Sequence, residues 1–422
     1  MQLWPYLMLK GWLPYRDIAI AHNPLMLIDL SIFYKFFGTS LLSLKIFTWS
    51  LILLIDIFLF FIASKLWNRK VAIIAVAFYA IFQLVYEGNG LWFDLYLTLP
   101  ALVLYYFARN KRYFWTGIVW ALAFLVKQTA IWLLIPITIS AFQDLAPKGI
   151  QNKAVIFVVG ILLILFPTVM IIWFLGILPD YLFWAYEFGV GILPRASGQI
   201  NLPDLRQFTI SIIPFSLLLF VPFLKEKKES LILFSWIVFG ALGAIPRFEL
   251  FHFQPALPFL AVAFGLVFSN ISKLKPIVVY VLSGYLLLTL VLVGKFYTRE
   301  WGMEDRFFES EVLEVADYIK DRSEGNDKIY VLNAWDSVYA LSNTLPAVSP
   351  WVPHLPWYME LPGVQEEIVQ DLEREKPEMI VMREYTQSGL SAYKPELIDK
   401  FITENYEISD KINTHLILLQ KE

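Results

Sequence analysis

The chain has 422 residues, of which 58% are hydrophobic, 17% aromatic and only 17% charged, and its mean hydropathy is +0.59. Soluble globular domains are about 45–50% apolar and about 25% charged, so the composition excludes a soluble enzyme or a disordered chain and predicts an integral membrane protein. The net charge is +10 over residues 1–297 and −13 over residues 298–422, which predicts a membrane body with basic loops and an acidic soluble domain, and gives no support to nucleic-acid binding.

The first 40 residues do not form a membrane span. In segment 11–24, GWLPYRDIAIAHNP, glycine and proline break any helix, and the segment either is an ordinary interfacial loop or belongs to a functional site. Its polar residues are Arg16, Asp17, His22 and Asn23. Segment 24–37 predicts an amphipathic helix in the membrane interface, which ends at Gly38.

Ten apolar segments then follow that we interpret as membrane spans, because a helix crosses the hydrocarbon with about 17–25 apolar residues. The pair at 113–142 forms either two spans or one hairpin broken at Lys127 and Gln128. The ten segments are 41–66, 71–86, 90–108, 113–126, 128–142, 153–176, 207–224, 230–246, 255–270 and 276–297.

The basic residues of the loops predict the orientation, because cytoplasmic loops are enriched in Lys and Arg. One set of alternate loops holds 13 basic residues and the opposite set holds four. The 13 are Lys65, Arg69, Lys70, Arg109, Lys111, Arg112, Lys148, Lys153, Lys225, Lys227, Lys228, Lys273 and Lys275. We therefore expect a multi-pass plasma-membrane protein whose residues 1–40 and acidic C-terminal domain both lie outside.

An external N-terminus must be carried across the membrane, and residues 1–40 show no secretory signal pattern. We therefore expect a further span upstream of this sequence. The predicted domains are an external loop and helix (1–40), a transmembrane bundle (41–297) and an external soluble domain (298–422).

Polar residues concentrate at the outer ends of the predicted spans. A carboxylate at membrane depth costs about 2.5–3.5 kcal/mol on insertion scales and usually faces a polar cavity. Each residue has a separate structural explanation, such as a lysine that extends to the interface, but together they favour one shared site. They are Glu87, Asp94, Lys127, Gln128, Arg247 and His252.

The last 125 residues alternate helical and strand patterns, which predicts a small α/β unit with a partly parallel sheet. Helices are expected at 305–322, 334–343, 363–376 and 395–406, and strands at 328–333, 378–383 and 415–421. The Pro-rich stretch 346–362 reads as a loop. We assign this domain no chemistry, and His354 and His415 are expected to be structural.

The order of motifs resembles the family C membrane glycosyltransferases, above all the bacterial and archaeal relatives of protein O-mannosyltransferase and lipid A aminoarabinose transferase. The resemblance rests on five short stretches within residues 1–300. They read GWLPYRD at 11–17, HNPL at 22–25, DLYL at 94–97, FLVKQ at 124–128 and RFELFHFQPALPF at 247–259. Family members carry an Asp-Glu pair upstream of the first motif, which has no counterpart in residues 1–10.

The resemblance implies inverting transfer of a sugar from a polyprenyl-phosphate carrier to a lipid, glycan or protein acceptor on the outer face. Asp17 and Asp94 are the candidate catalytic acids: Asp94 for the acceptor or a metal, Asp17 as base or as the partner of Arg16. Lys127 and Arg247 are expected to bind the phosphate, assisted by His22 or His252. The remaining members of the predicted substrate-binding site are Arg16, Asn23, Glu87 and Gln128.

The resemblance demands no cofactor, although a divalent metal ion is compatible with the carboxylates. Two alternatives stay open: a polymerase or ligase of lipid-linked glycans, which uses the same groove, and a non-enzymatic membrane protein, either a transporter or an inactive subunit. A secondary transporter is disfavoured because inverted repeats are not evident and the polar residues concentrate at one face of the membrane.

Overall fold

The computed structural model describes residues 2–142, 147–223, 227–385 and 393–421. Lys225, from one of the predicted cytoplasmic loops, lies outside these ranges. The membrane body consists of α-helices joined by tight loops. Its helices are α1 (Leu3–Leu9), α2 (Leu25–Phe37), α3 (Leu41–Leu66), α4 (Arg69–Val85), α5 (Phe93–Arg109), α6 (Tyr113–Val126), α7 (Leu134–Phe142), α8 (Pro147–Phe174), α9 (Leu178–Leu182), α10 (Leu205–Phe215), α11 (Lys227–Gly240), α12 (Leu257–Ser269) and α13 (Pro276–Glu300).

Tighter or wider helical turns interrupt this bundle, mostly next to proline. A π-helix covers Phe183–Ile192, and 3₁₀ turns are frequent at helix ends and breaks. The 3₁₀ segments are Gln128–Leu133, Leu193–Arg195, Ser216–Phe223, Leu242–Ala244, Leu250–Ala256 and Ile271–Lys273.

Helix starts follow from polar residues that accept hydrogen bonds from free backbone amides. The Ser40 side chain caps α3 by accepting from Ser43 N at 3.1 Å, and Asn68 caps α4 by accepting from Val71 N at 3.0 Å. Gly38, with φ of +77°, ends α2 in a conformation that only glycine adopts readily. The predicted helix at 24–37 is therefore present.

Each predicted span coincides with a helix, but the lengths differ. In the described residues, four helical stretches are long and apolar enough to cross a membrane: Leu41–Leu66, Gln151–Phe174, Leu250–Ser269 and Pro276–Glu300. The other predicted spans are shorter helices, and some continue as 3₁₀ turns. A count of ten spans therefore stays a prediction.

Two glycines allow α6 and α8 to pack closely. A Cβ on Gly117 would lie 2.0 Å from the Phe157 carbonyl oxygen, and a Cβ on Gly160 would lie 2.3 Å from that of Phe114. Small residues at helix crossings are typical of membrane bundles, because they bring the backbones together. The opposite face of α8 exposes apolar side chains such as Phe166, as a lipid-facing helix does.

The C-terminal domain is an α/β unit with a five-stranded sheet in the order β2-β1-β3-β5-β4. Its strands are β1 (Lys328–Leu332), β2 (Leu345–Pro346), β3 (Met379–Arg383), β4 (Tyr406–Ile412) and β5 (His415–Gln420). Its helices are α14 (Ser310–Lys320), α15 (Ser337–Ser342), α16 (Pro356–Met359), α17 (Val364–Glu375) and α18 (Glu396–Asn405).

The predicted partly parallel sheet is present. Strand β1 pairs in parallel with β2 and β3, whereas β5 pairs antiparallel with β3 and β4. The sequence analysis missed β2 and β4. Strand β4 is an exposed edge strand with few apolar residues, so its sequence lacks the alternation that marks a half-buried strand.

The Pro-rich stretch 346–362 joins the C-terminal domain to the membrane body. The Trp351 amide donates to the Asp17 carbonyl at 2.8 Å, and the Ala19 amide donates to the Trp351 carbonyl at 2.9 Å. Lys10 Nζ donates to Asn326 Oδ1 at 2.6 Å. The domain therefore lies directly on the loop that carries His22.

Candidate active site

Asp94 is the buried carboxylate of the membrane body. It lies in the first turn of α5, where unpaired backbone amides and the helix dipole favour a negative charge. Asp94 is only 2% exposed to solvent. A carboxylate in this position needs a charged partner close by.

Lys127 supplies that partner from the break between α6 and the following 3₁₀ segment. Its backbone is extended, with φ of −153° and ψ of 137°, so the side chain leaves the helix axis and turns inward. Its Nζ lies 2.6 Å from Asp94 Oδ2, and the residue is 5% exposed. The helix is therefore interrupted at Lys127 as predicted, and the lysine forms a buried ion pair with Asp94.

His252 completes the contact from the 3₁₀ segment before α12. Its Nδ1 lies 2.9 Å from Asp94 Oδ2 and 3.2 Å from Lys127 Nζ. Three distant parts of the sequence thus place a carboxylate, an ammonium and an imidazole in mutual contact. We call Asp94, Lys127 and His252 the inner cluster.

His22 faces the inner cluster from the loop before α2. Its ring centroid lies 4.3 Å from that of Phe93, the residue next to Asp94. Burial, followed by the charge of Lys127, lowers the pKa of His22 to about 3, while Asp94 and a hydrogen bond with Gln128 act in the opposite direction. The imidazole is therefore neutral at physiological pH.

Asn23 and Gln128 hold this loop in place. Asn23 Nδ2 donates to the Phe124 carbonyl at 2.6 Å, and its Oδ1 accepts from the Tyr181 hydroxyl at 2.8 Å. Gln128 Nε2 donates to the carbonyls of Ala21 at 3.0 Å and Ala185 at 2.8 Å. Both residues thus have structural partners next to His22.

Asp17 and Arg16 do not join the inner cluster. Asp17 Oδ2 accepts a hydrogen bond from the Leu13 amide at 2.7 Å, which closes the turn of its own loop. Arg16 Nε lies 3.6 Å from Asp180 Oδ2, so the expected Arg16–Asp17 pair is replaced by an Arg16–Asp180 pair. The carboxylate of Asp17 therefore stabilises the loop at 11–17 and does not enter the inner cluster.

Arg247 also lies outside the inner cluster. Its Nε donates to Glu249 Oε1 at 3.2 Å and its Nη1 donates to Gln199 Oε1 at 3.2 Å. Its guanidinium carbon lies 5.1 Å from the ring centroid of Trp357. Arg247 therefore bridges the membrane body and the C-terminal domain.

Glu87 lies near Glu249, where loops of the membrane body meet the C-terminal domain. We call Glu87, Arg247, Glu249, Arg306 and Trp357 the rim. Glu87 Oε2 lies 4.0 Å from Arg306 Nη1. Burial raises the pKa of Glu87, and the nearby Arg306 opposes this effect. Glu87 therefore links a loop of the membrane body to a residue near the start of the C-terminal domain.

Sequence reasoning missed several residues of the site. Trp351 and Trp357 come from a Pro-rich loop that carried no motif, although two tryptophans in one Pro-rich loop are an unusual signal. Glu249 lies two residues from Arg247, a spacing that favours an ion pair in extended backbone.

The residues present do not fit a divalent metal in this arrangement. Among the described residues, no group of three or more His, Cys, Asp or Glu side chains has the geometry of a metal site. Asp94 Oδ2 already contacts the Lys127 ammonium at 2.6 Å, which occupies the place where a cation would bind. We therefore derive no chemical step through a metal.

Comparisons with known proteins bear on this arrangement. Residues 21–173 match the sequence model of the dolichyl-phosphate-mannose-protein mannosyltransferase family. This stretch contains His22, Asp94 and Lys127. A search of curated proteins finds no matching sequence.

Solved structures share the fold. ArnT from Cupriavidus metallidurans bound to undecaprenyl phosphate superposes with a TM-score of 0.63 at 11% identity, covering 99% of this chain and 92% of that chain. The apo oligosaccharyltransferase from Archaeoglobus fulgidus gives a TM-score of 0.56 at 12% identity, covering 94% and 68% of the two chains. The resemblance of this chain to the family C membrane glycosyltransferases is therefore confirmed, by sequence over residues 21–173 and by fold over nearly its whole length.

Proposed function

We propose that this chain is a membrane glycosyltransferase that moves a sugar from a polyprenyl-phosphate carrier to an acceptor hydroxyl on the outer face of the membrane. The observation that carries the proposal is the inner cluster: Asp94, Lys127 and His252 in mutual contact, with His22 beside them, in a chain with the fold of ArnT. That ArnT structure holds undecaprenyl phosphate, which supports a polyprenyl-linked donor.

Lys127 is the proposed phosphate ligand. When the bond between the sugar and the phosphate breaks, the electron pair stays on the phosphate, and a cation in a water-poor site stabilises this charge strongly. An ammonium group has three donors. One donates to Asp94 Oδ2, so the others are available to the departing phosphate.

Asp94 is the proposed general base. The acceptor oxygen forms its bond to the anomeric carbon while its proton passes to the carboxylate, and a positioned base of this kind contributes about 10²–10⁴ in rate. The neutral imidazole of His22 lies beside the reacting groups and offers a hydrogen bond to a phosphate oxygen, whereas His252 donates through Nδ1 to Asp94 Oδ2 and orients the carboxylate. Asp17 then has a supporting role, because its carboxylate closes a turn.

The rim is the proposed entrance for the acceptor. Arg247 pairs with Glu249 at the rim and has no contact with Asp94 or His252 among the described residues, so we assign the phosphate to Lys127, the cation of the inner cluster, instead. Glu87, Arg306 and Trp357 line the same rim and offer polar and aromatic surface. The acceptor class stays open between lipid, glycan and protein.

The proposed orientation places the inner cluster and the C-terminal domain outside the cell. It rests on the excess of basic residues in the opposite loops. Protease added to intact spheroplasts should therefore remove the C-terminal domain. Full protection of the domain would contradict the orientation.

A transfer assay tests the function directly. The full chain in lipid nanodiscs is given undecaprenyl-phosphate-linked sugars and an extract of cell-envelope glycans and lipids, and the release of undecaprenyl phosphate is measured. We expect release by the unmodified chain, loss in Lys127→Met, and unchanged release in the matched control Lys45→Met, which removes a lysine paired with Asp305 rather than with a residue of the inner cluster. No release from any donor, or equal release by both variants, would contradict the proposal.

A further inference from the structure

Asp94 uses only one of its two carboxylate oxygens in the inner cluster. Lys127 and His252 both contact Oδ2, at 2.6 and 2.9 Å. Oδ1 is buried and accepts no hydrogen bond from any described residue. A buried carboxylate oxygen without a donor is costly, so native proteins seldom leave one unexplained.

Thr129 presents a second buried oxygen without a partner. It lies in the 3₁₀ segment that follows Lys127, and its Oγ1 makes no hydrogen bond with the described residues. Other threonines of the membrane helices donate to the carbonyl four residues earlier, as Thr98 does to Asp94 O at 2.9 Å and Thr116 does to Arg112 O at 3.0 Å. Thr129 is therefore not engaged in the usual way.

Gly243 shows that these two oxygens face one small space. A Cβ built on this glycine would lie 3.4 Å from Asp94 Oδ1, 4.0 Å from Thr129 Oγ1 and 3.7 Å from the His252 carbonyl oxygen. Three oxygens from three segments thus surround a single point. Glycine turns only a hydrogen atom towards these oxygens, whereas any other residue would place a Cβ atom among them.

We propose that Asp94 Oδ1, Thr129 Oγ1 and the His252 carbonyl form the subsite that binds the reacting hydroxyl of the acceptor; this inference rests on the proposed function. A carboxylate oxygen and a carbonyl accept hydrogen bonds and cannot donate them. The ligand must therefore bring a donor. The Lys127 ammonium, 2.6 Å from the same carboxylate, repels a cation, so a neutral hydroxyl fits better than a metal ion.

The arrangement divides the chemistry between the two oxygens of Asp94. Oδ2 stays bound to Lys127 and His252, which keeps the carboxylate charged and oriented. Oδ1 takes the proton of the acceptor hydroxyl as the acceptor oxygen bonds to the anomeric carbon, and the departing phosphate keeps the electron pair of the broken bond. Thr129 is then a positioning residue, because its hydroxyl orients the acceptor.

Infrared difference spectroscopy with glycerol as the hydroxyl probe tests the subsite without relying on activity. The carboxylate band of Asp94 is isolated as the spectrum of the full chain minus that of Asp94→Asn, and glycerol is titrated in nanodiscs. We expect a saturable shift of this band. Gly243→Ala should abolish the shift, and Thr129→Val should need about tenfold more glycerol, as expected for one lost hydrogen bond.

Thr98→Val is the matched control. It also removes a buried threonine hydroxyl next to Asp94, but one whose hydrogen bond lies within its own helix, so its titration should equal that of the unmodified chain. Thr129→Ser should restore the titration. No saturable shift, or equal titrations for Thr129→Val and Thr98→Val, would overturn the subsite; Mn²⁺ binding that Thr129→Val abolishes would overturn it in favour of a metal.

The proposed function is tested separately in the same samples by binding of undecaprenyl phosphate. Thr129→Val and Gly243→Ala should bind it as the unmodified chain does, because neither touches Lys127. If undecaprenyl phosphate does not bind but glycerol shifts the Asp94 band saturably, the proposed function is contradicted and the hydroxyl subsite is not. Normal binding without the glycerol shift counts against the subsite alone.

Discussion

The membrane body and the C-terminal domain each enclose a carboxylate, a cation and an imidazole. In the membrane body these are Asp94, Lys127 and His252, all within 3.2 Å of one another. In the C-terminal domain they are Glu311, Arg383 and His415. Arg383 Nη2 lies 3.3 Å from Glu311 Oε1, while His415 is fully buried and neither of its ring nitrogens has a hydrogen-bond partner among the described residues.

The surroundings of the two clusters differ as much as their contacts. Arg383 and His415 face each other on neighbouring strands β3 and β5, and Thr414 Oγ1 donates to Glu311 on α14 at 2.8 Å, so the sheet and α14 enclose this cluster. The residues of the inner cluster come instead from three segments of the membrane body: the start of α5, the break after α6 and the 3₁₀ segment before α12. The same residue types therefore serve as part of a folded core in one place and as a candidate site in the other.

The largest expected difference between the clusters is in activity. Asp94→Asn should lower transfer by about 10²–10⁴, because the general base is lost while the shape is kept. Glu311→Gln should leave the turnover of the folded protein unchanged. The assay is undecaprenyl phosphate release per folded protein, and a comparable loss in Glu311→Gln would contradict the distinction.

The second difference is in stability. Lys127→Met leaves Asp94 charged and buried without its cation, and breaking a buried pair typically costs about 3–5 kcal/mol. Adding Asp94→Asn removes the uncompensated charge, so the double variant should be more stable than Lys127→Met alone. Unfolding midpoints of both variants in the same detergent check this, and simple additivity of the two substitutions would contradict it.

The sequence predicted the convergence of Asp94, Lys127 and His252 better than it predicted the positions of Asp17 and Arg247. Asp94, Lys127 and His252 interrupt apolar stretches, and the cost of burying such groups requires them to find partners. The positions of Asp17 and Arg247 could not be predicted, because their partners come from distant loops: Trp351 bonds the Asp17 backbone, and Trp357 covers Arg247. Local patterns contain no information on such contacts.

The fold shows the same division. Helix positions follow from apolar runs and caps such as Ser40 and Asn68, so the predicted spans coincide with helices. The lengths of the helices could not be predicted in this way, because regular helix changes to 3₁₀ turns at Lys127 and near Pro214. Strand β4 escaped prediction because edge strands are held by backbone pairing with a neighbour rather than by an apolar face.

The pH dependence of the C-terminal cluster gives a smaller effect. Burial, followed by the charge of Arg383, lowers the pKa of His415 to about 4, with Glu311 acting in the opposite direction. Since an unfolded histidine has a pKa of about 6.5, the unfolded chain binds more protons between these values. The stability from His415 is therefore complete above about pH 6.5 and is lost as the pH falls towards 4.

Hydrogen exchange of the β3 and β5 amides in the full chain measures this effect. Protection should fall progressively below pH 6.5, and His415→Leu should flatten this fall. His354, whose pKa burial also lowers to about 4, contributes in the same direction and remains in the variant. An unchanged pH profile in His415→Leu would contradict the assignment.

The smallest expected effect concerns the contact between the two regions. Trp351 packs against Trp4, with ring centroids 6.5 Å apart, and pairs through its backbone with residues 17–19. Trp351→Ala should raise hydrogen exchange in the loop around His22 by a few-fold, because the backbone pairing persists without its side-chain anchor. Trp301→Ala is the matched control, since Trp301 is 85% exposed. Equal exchange in both variants would contradict a stabilising contact between Trp351 and this loop.

The binding of undecaprenyl phosphate tests the central claim most directly, namely that the inner cluster is a phosphate-binding site at the outer face. The dissociation constant is measured by native mass spectrometry for the full chain, Lys127→Met and Lys45→Met. The account predicts binding by the full chain and by Lys45→Met, and at least tenfold weaker binding by Lys127→Met. Equal affinities in all three proteins would contradict it.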